Sequence, residues 1–284
     1  RWIQLGPLPP IQPSEAVKLA MIIYIAAWLA AKGEHVRRWS LGFLPFIIMV
    51  GVVGGLVMIQ PDMGTTLVIV LTTCIMFFVG GASWGAVSTL LAGGVVSSLM
   101  LISVASYRSE RLWAFFHAEE DPGGAGYHIL QLLIALGSGG LTGLGLGESR
   151  QKFFYVPGAH TDGIFAILAE EAGFIGGLAV IVLFAVLVYR GFKVVFNAQD
   201  EFGALLAVGI VSWIACQALL NVGGVTRSIP LTGIPLPFMS YGGSALWALM
   251  AGVGLLLSIS RYAVRTGEAG RRDRPKAAGG RRKD

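Results

Sequence analysis

Charged residues are scarce in this chain of 284 residues: only 13% are Asp, Glu, Lys or Arg, whereas 55% are hydrophobic. In an ordinary soluble domain about a quarter of the residues are charged, so this composition argues against a soluble domain and favours a membrane protein. Cysteine is rarer still, with two residues. Cys74 and Cys216 lie inside apolar runs without paired spacing, which argues against a disulfide framework or a zinc motif.

A net positive charge is absent from most of the chain. The formal net charge is +5, but residues 261–284 hold nine Lys or Arg against three Asp or Glu, which leaves about −1 for the rest. No aromatic residue follows Tyr262 to stack on bases, whereas cytoplasmic membrane flanks are routinely basic. We therefore predict no nucleic-acid partner and interpret residues 263–284 as a disordered cytoplasmic tail.

Long apolar runs are what the chain does contain. Seven of them approach or reach the roughly 20 residues that cross a bilayer core. Lipid cannot satisfy free backbone groups, so each run is expected to be a helix. The sequence predicts an all-α, polytopic transmembrane helical bundle in a single domain over residues 1–262, with spans at 17–31, 41–59, 65–82, 86–105, 164–188, 204–225 and 241–259.

The orientation of the bundle follows from basic residues in short loops. Lys32, Arg37 and Arg38 lie between the first two spans, and Arg190 and Lys193 lie between the fifth and sixth. The positive-inside rule places these loops and the basic tail in the cytoplasm. A large loop at about residues 107–161 is then extracytoplasmic, and its length indicates a functional role.

Parts of that loop have patterns of their own. Residues 127–136 have the periodicity of an amphipathic helix. The glycine-rich segment 137–147 follows, and glycines there allow either a sharp bend or a close approach of backbone amides to a ligand.

Three prolines between residues 230 and 244 forbid a continuous helix, so this segment is expected to be an irregular outer loop or a re-entrant piece that lines a cavity.

Ionisable residues near a bilayer are candidates for function because their burial is costly. Glu15 and Lys18 lie one turn apart, so they form either a local ion pair or part of a site. Asp62, after Gln60, either caps the third span or contributes to a site. Asp162 begins the fifth span and is likewise either a helix cap or a catalytic acid.

Two further groups of charges are candidates. Arg108 and Arg111 are placed either to bind a pyrophosphate or to be surface charges. Glu170 and Glu171 lie about 12 to 13 Å further along the fifth span than Asp162, so they need a polar cavity or protein partners. One helix cannot point both adjacent carboxylates in one direction, so at least one is expected to serve packing or a network.

These clusters, in this order, resemble the SEDS family (shape, elongation, division and sporulation; the FtsW/RodA/SpoVE type). The segments that carry the resemblance are 11–18, 60–65, 107–111, 121–127, 151–171 and 221–244. The strings at 151–155 and 167–171 favour the FtsW-like, division-type branch. The resemblance implies a ten-helix fold with both termini cytoplasmic, of which this chain matches the last seven helices and lacks the first three.

The resemblance also implies a function. Such proteins are peptidoglycan glycosyltransferases that polymerise lipid II into glycan strands during cell division or elongation, at the outer face of the cytoplasmic (inner) membrane. Their essential acid maps onto Asp162, which is expected to be the general base of an inverting transfer. The family's usual Glu and Phe are replaced by Gly158 and Gly163.

Other residues are expected to take part because the departing pyrophosphate needs positive charge nearby. Binding of substrate or pyrophosphate is expected from Lys18, Arg108, Arg111, Lys152 and His160. Supporting roles are expected from Glu15, Gln60, Asp62, Glu170, Glu171, Ser240 and Tyr241. The sequence has no dedicated metal cage, although a divalent cation (Mg²⁺ or Mn²⁺) bound with the pyrophosphate would offset its charge.

Expected partners are a class B penicillin-binding protein, which is a transpeptidase, and other divisome or elongasome membrane proteins. Two alternatives to catalysis stay open. One is a lipid II flippase or transporter with Lys18, Glu170 and Glu171 along its path, and the other is a non-catalytic divisome scaffold.

Overall fold

The chain forms a bundle of helices in the computed structural model, which describes residues 2–4, 10–104, 106–120, 123–124, 126–153 and 155–272. Within these residues there are nine α-helices. They are α1 Pro13–Lys32, α2 Leu44–Ile59, α3 Met63–Val79, α4 Trp84–Val104, α5 Ser106–Phe116, α6 Tyr127–Ser138, α7 Ile164–Asn197, α8 Glu201–Val225 and α9 Gly243–Arg272. A 3-10 turn, Gly33–Arg37, and a π-helical turn, Trp39–Phe43, connect α1 to α2.

Each of the seven predicted spans coincides with a helix. Five helical stretches are long and apolar enough to cross a membrane: Pro13–Arg37, Trp39–Ile59, Ile164–Asn197, Glu201–Val225 and Gly243–Tyr262. α4 has 21 residues. α3 is apolar but has 17 residues, at the lower limit for a span. The predicted polytopic all-α bundle is confirmed for the described part of the chain.

Helices also occupy regions where the sequence predicted loop or tail. The long connection between α4 and α7 contains α5 and α6, and α6 confirms the helix expected at 127–136. α9 continues to Arg272, so its last turns extend into the predicted tail, whose disorder stays a prediction. Arg, Ala and Glu in this stretch are good helix formers and allow the helix to continue beyond the apolar run. Residues 273–284 lie outside the described part of the chain.

α8 is the central helix of the bundle. It packs against α1, α3, α7 and α9, and most of its side chains are buried, including Leu206, Ile210, Trp213 and Ile214. A helix that is apolar all round belongs in the interior. α7 and α9 instead expose large apolar side chains, as helices that face lipid do.

α7 is interrupted at Gly173, where φ is 68° and ψ is −170°. The chain that follows α6 crosses this break. The N–H groups of Phe174 and Ile175 donate to the carbonyl oxygens of Gly140 and Leu141 at 2.9 and 3.2 Å. A Cβ atom at residue 173 would lie 2.4 Å from the backbone nitrogen of Gly143. The close backbone contact and the positive φ together require glycine at this position.

The glycine-rich segment is bonded to α7 in the other direction as well. The N–H groups of Leu144 and Gly145 donate to the carbonyl oxygens of Glu170 and Glu171, both at 3.0 Å. Of the two interpretations of this segment, the sharp bend is therefore confirmed. The alternative prediction, that backbone amides of this segment bind a ligand, is wrong for Leu144 and Gly145, because both N–H groups donate to carbonyl oxygens of α7.

We expect Gly173→Ala to lower the free energy of unfolding by about 1 to 3 kcal/mol, since it combines an unfavourable φ with a backbone overlap. The measurement is the midpoint of detergent-induced unfolding of the purified protein. Gly254→Ala is the matched control, because nothing lies within 4 Å of its Cβ position in α9 and alanine is the better helix former. Equal midpoints for the two variants would contradict the role assigned to Gly173.

Candidate functional site

The site lies where two irregular segments meet in front of α7. We name them the entry turn, residues 158–163, and the α8–α9 loop, residues 226–242. The N–H of Tyr241 donates to the carbonyl oxygen of His160 at 2.8 Å. The Ser240 hydroxyl donates to the Thr161 carbonyl oxygen at 2.5 Å and accepts from the Leu236 N–H at 2.6 Å. Ser240 and Tyr241 thus fix the α8–α9 loop to the entry turn.

Asp162 belongs to the entry turn and does not cap α7. The N-cap residue is Gly163, and no side chain bonds to the free N–H groups there. The cap interpretation of Asp162 is therefore wrong, because the helix begins one residue later than a cap at this position requires. Asp162 is partly exposed, and the Thr161 hydroxyl oxygen lies 3.0 Å from its Oδ1. Its carboxylate is accessible from outside.

Gly158 shapes the position of that carboxylate. Its φ is +68°, and a Cβ atom there would lie 2.4 Å from Oδ1 of Asp162. The glycine that replaces the family's usual Glu therefore allows Asp162 to lie against the backbone of the entry turn. The turn also closes on itself, since the N–H groups of Thr161 and Gly163 donate to the Gly158 carbonyl oxygen at 2.9 and 3.1 Å.

Asn221 of α8 holds the backbone of Asp162. The sequence did not single it out as a site residue. Its side-chain N–H₂ group donates to the carbonyl oxygen of Asp162 at 2.9 Å and to that of Ile234 at 2.8 Å. The residue is 3% exposed. A signal was present in the sequence: Trp213, Gln217 and Asn221 are spaced four apart on one face of α8, and polar residues in an apolar span are candidates for function.

Lys18 lies inside the bundle, one turn of α8 below Asn221. Its ammonium group lies 2.9 Å from a carboxylate oxygen of Glu15 and 3.0 Å from Oε1 of Gln217, and it stands over the Trp213 ring. The local ion pair expected of Glu15 and Lys18 is present. Lys18 is 2% exposed, so this placement does not favour direct contact with a pyrophosphate, and that role stays a prediction.

The side chain of Gln217 extends this network to the α8–α9 loop. Its N–H₂ group donates to the Pro235 carbonyl oxygen at 2.9 Å, and the indole N–H of Trp213 donates to its Oε1 at 2.8 Å. Hydrogen bonds thus join α1, α8 and the α8–α9 loop. Lys18 contacts this loop only indirectly, through Gln217.

Asp62 caps α3, as one of its two interpretations predicted. Its carboxylate accepts from the N–H and the hydroxyl of Thr65 at 3.1 and 3.0 Å. It also accepts from the side-chain amide of Gln12 at 2.9 Å, which joins the start of α3 to the start of α1. Gln60 is exposed at the end of α2, and its supporting role stays a prediction.

Glu170 and Glu171 bind the segment before the entry turn. Glu170 is 1% exposed, and its carboxylate accepts from the Ser149 hydroxyl at 2.5 Å and from the Arg150 N–H at 3.1 Å. Glu171 forms an ion pair with Lys152 at 2.9 Å. Both carboxylates therefore have protein partners, and Lys152, expected to bind substrate, is held by Glu171 in this structure.

Three candidate cations of the sequence analysis remain, and the structure adds a fourth. The side chains of Arg108 and Arg111 lie outside the described residues, so their predicted roles stay predictions. His160 is exposed. Arg227, which the sequence analysis missed, donates to the carbonyl oxygens of Phe115 and Phe116 at 3.0 and 3.2 Å and so caps the end of α5.

Comparisons with known proteins point in one direction. The profile of a family described as cell cycle protein, which covers FtsW, RodA and SpoVE, matches residues 1–265. Stage V sporulation protein E of Bacillus subtilis is 47% identical over 261 residues, which cover 92% of this chain and 71% of that protein. A probable peptidoglycan glycosyltransferase FtsW of Trichlorobacter lovleyi is 42% identical over 92% of this chain and 68% of its own length.

Solved structures agree with the sequence comparisons. A chain from a peptidoglycan synthase complex, studied for its coordination of polymerization and crosslinking, superposes with a TM-score of 0.74 at 28% identity. The match covers 92% of this chain and 73% of that one. The resemblance seen in the motifs is thereby confirmed, and the chain belongs to the SEDS family of FtsW, RodA and SpoVE proteins.

Proposed function

We propose that this chain is a peptidoglycan glycosyltransferase that polymerises lipid II into glycan strands, with Asp162 as the general base. The observation that carries the assignment of the base is the accessible Asp162 carboxylate at the junction of the entry turn and the α8–α9 loop. The names of several relatives, probable peptidoglycan glycosyltransferase FtsW, support the reaction class.

In the proposed reaction the Asp162 carboxylate takes the proton of the acceptor sugar's 4-hydroxyl. The acceptor oxygen forms a bond to the anomeric carbon of the donor, and the bond from that carbon to the pyrophosphate oxygen breaks. Polyprenyl pyrophosphate leaves with the electron pair, and attack from the opposite side inverts the configuration. A general base must lie within hydrogen-bond reach of its proton, and backbone contacts on both sides of Asp162 hold it in one place.

The departing pyrophosphate needs positive charge. Lys152 and Lys18 are paired with glutamates, so Arg108 and Arg111 are the favoured candidates. Among the described residues no three or more His, Cys, Asp or Glu side chains are grouped to hold a metal ion. Mg²⁺ often binds through one carboxylate and the substrate's phosphates, so a divalent cation here would depend on the pyrophosphate itself, with Asp162 as the nearby carboxylate.

The proposed location is the bacterial cytoplasmic membrane, with Asp162 at the extracytoplasmic face. α7 runs from the Asp162 end to Arg190 and Lys193 at its other end, and the positive-inside rule favours the cytoplasm for that end. A class B penicillin-binding protein is the proposed partner, because the similar solved chain comes from a complex that coordinates polymerization and crosslinking. Other divisome or elongasome proteins remain proposed partners by the same family argument.

Transport has less support from the geometry. Lys18 is enclosed with Glu15 and Gln217, whereas Glu170 and Glu171 bind residues 149–152. These three charges belong to two separate sets of contacts and do not line one path. We therefore propose no flippase function, and the scaffold alternative is tested with catalysis below.

Asp162→Asn is expected to reduce polymerisation by about 10²- to 10⁴-fold, since the amide has the shape of the carboxylate but no basicity. The measurement is glycan strand length and amount from lipid II in proteoliposomes that also hold the class B penicillin-binding protein. Asp200→Asn is the matched control, because Asp200 caps α8 and Asn caps equally well. Unchanged polymerisation by Asp162→Asn would refute the general-base assignment, and polymer from neither variant nor parent would favour the scaffold.

Asn221→Leu keeps a similar volume but leaves two buried carbonyl oxygens without their donor, so the entry turn and the α8–α9 loop are expected to shift. We expect kcat to fall by about 10²-fold, the effect of a displacement near 1 Å, with a smaller change in KM. Ser212→Ala, a buried polar position on the same helix, controls for general loosening of α8. A loss of folded protein without a kcat effect in the folded fraction would show that Asn221 is only structural.

Lys152 can act through Glu171 or directly on the substrate, and a double-mutant cycle separates the two. If its role is to hold the segment before the entry turn, Lys152→Gln and Glu171→Gln each lower activity to a similar extent. The double variant is then no worse than either, with a coupling free energy of about 1 kcal/mol. If only Lys152→Gln raises KM for lipid II, Lys152 binds the substrate instead.

A further inference from the structure

A cleft of about 710 Å³ lies between α7 and α9, at the end of these helices remote from Asp162. Leu187 and Val194 of α7 face Val253 and Leu257 of α9, and Ile214 of α8 forms the floor. Leu187 and Val194 are seven positions apart in α7, and Val253 and Leu257 are four positions apart in α9. Each pair therefore lies on one apolar stripe along its helix. The volume lies within the range of clefts that hold small ligands.

Polar residues gather at one end of the same cleft. Arg190, Lys193 and Asn197 lie in the last turns of α7, and Ser260 lies at the corresponding level of α9. The Lys193 ammonium group stands 4.8 Å from the centre of the Tyr189 ring. Within the described residues, neither Arg190 nor Lys193 has a carboxylate within 4.0 Å. Two exposed positive charges therefore border an apolar channel.

We propose that this cleft is a binding site for one anionic phospholipid. Its phosphate lies between Arg190 and Lys193, Asn197 and Ser260 offer hydrogen bonds to the headgroup, and one acyl chain follows the apolar stripe toward Ile214. Basic pockets between transmembrane helices are suited to anionic headgroups. This site is separate from the glycosyltransferase site. The orientation proposed above places it in the inner leaflet, and that placement alone rests on the proposed function.

The chemistry of the cleft favours this occupant over others. A free phosphate ion would use the two cations but none of the apolar walls. An apolar helix from a second copy would cover the walls and leave two cations without a counter-charge, which is unfavourable next to hydrocarbon. A zwitterionic phospholipid fits the walls but has no net charge for the cations. An anionic phospholipid satisfies both halves of the cleft.

The test is a titration of the purified protein with phosphatidylglycerol, followed by native mass spectrometry, with phosphatidylcholine of the same acyl chains in parallel. We expect a first phosphatidylglycerol to bind more tightly than phosphatidylcholine. Arg190→Gln and Lys193→Gln are each expected to weaken that binding roughly fivefold, the contribution of one basic residue near an anionic headgroup. Glycerol phosphate alone is expected not to bind measurably.

Two further variants make the outcome specific. The double variant Arg37→Gln with Arg38→Gln removes as many exposed charges from the same end of the bundle as Arg190→Gln combined with Lys193→Gln. It is expected to leave the first phosphatidylglycerol bound as before. Leu257→Trp fills the cleft from an exposed position. It is expected to abolish tight binding of phosphatidylglycerol although Arg190 and Lys193 are both retained. Equal affinity for the two lipids would overturn the proposal, and so would equal effects of the two double charge variants. A dimer of the parent protein that is lost in Leu257→Trp would also overturn it, because a second copy would then occupy the cleft.

Discussion

The side-chain amide of Asn221 connects two segments that lack regular secondary structure. It donates to the carbonyl oxygens of Asp162 and Ile234 from within α8, the central helix of the bundle. A buried carbonyl oxygen without a donor costs free energy, so both segments are constrained to lie against this amide. The position of the candidate base therefore depends on the packing of α8, although Asp162 itself lies on another element.

The charged residues in and below the candidate site differ in their burial. Glu15, Lys18 and Glu170 are buried and paired with protein groups, as the cost of unpaired charge in an apolar interior requires. Asp162 is different because its carboxylate remains partly exposed while its backbone is fixed on both sides. Buried and paired groups hold the helices together, whereas an exposed and oriented group is available for a proton transfer.

Hydropathy predicted the helices well because a bilayer imposes length and apolarity on every span. Local spacing also predicted the Glu15–Lys18 pair and the alternative in which Asp62 is a cap. The partners that join distant parts of the chain were not accessible to the same reasoning. Lys18 and Gln217 are 199 positions apart, and no local pattern relates them. Asp162 was misjudged as a possible cap because the entry turn places Gly163 at that position, which depends on the contacts of Gly158.

The break at Gly173 divides α7 into two rods with different surroundings. The first rod, which follows Asp162, is bonded to residues 144–152 through the carbonyl oxygens and carboxylates of Glu170 and Glu171. The second rod faces lipid and borders the cleft at Arg190. Because a chain segment from outside the helix supplies the hydrogen bonds at the junction, a twist of the lipid-facing rod does not pass along a continuous ladder to Asp162. The two ends of α7 are thus joined at Gly173 without a continuous helical hydrogen-bond ladder between them.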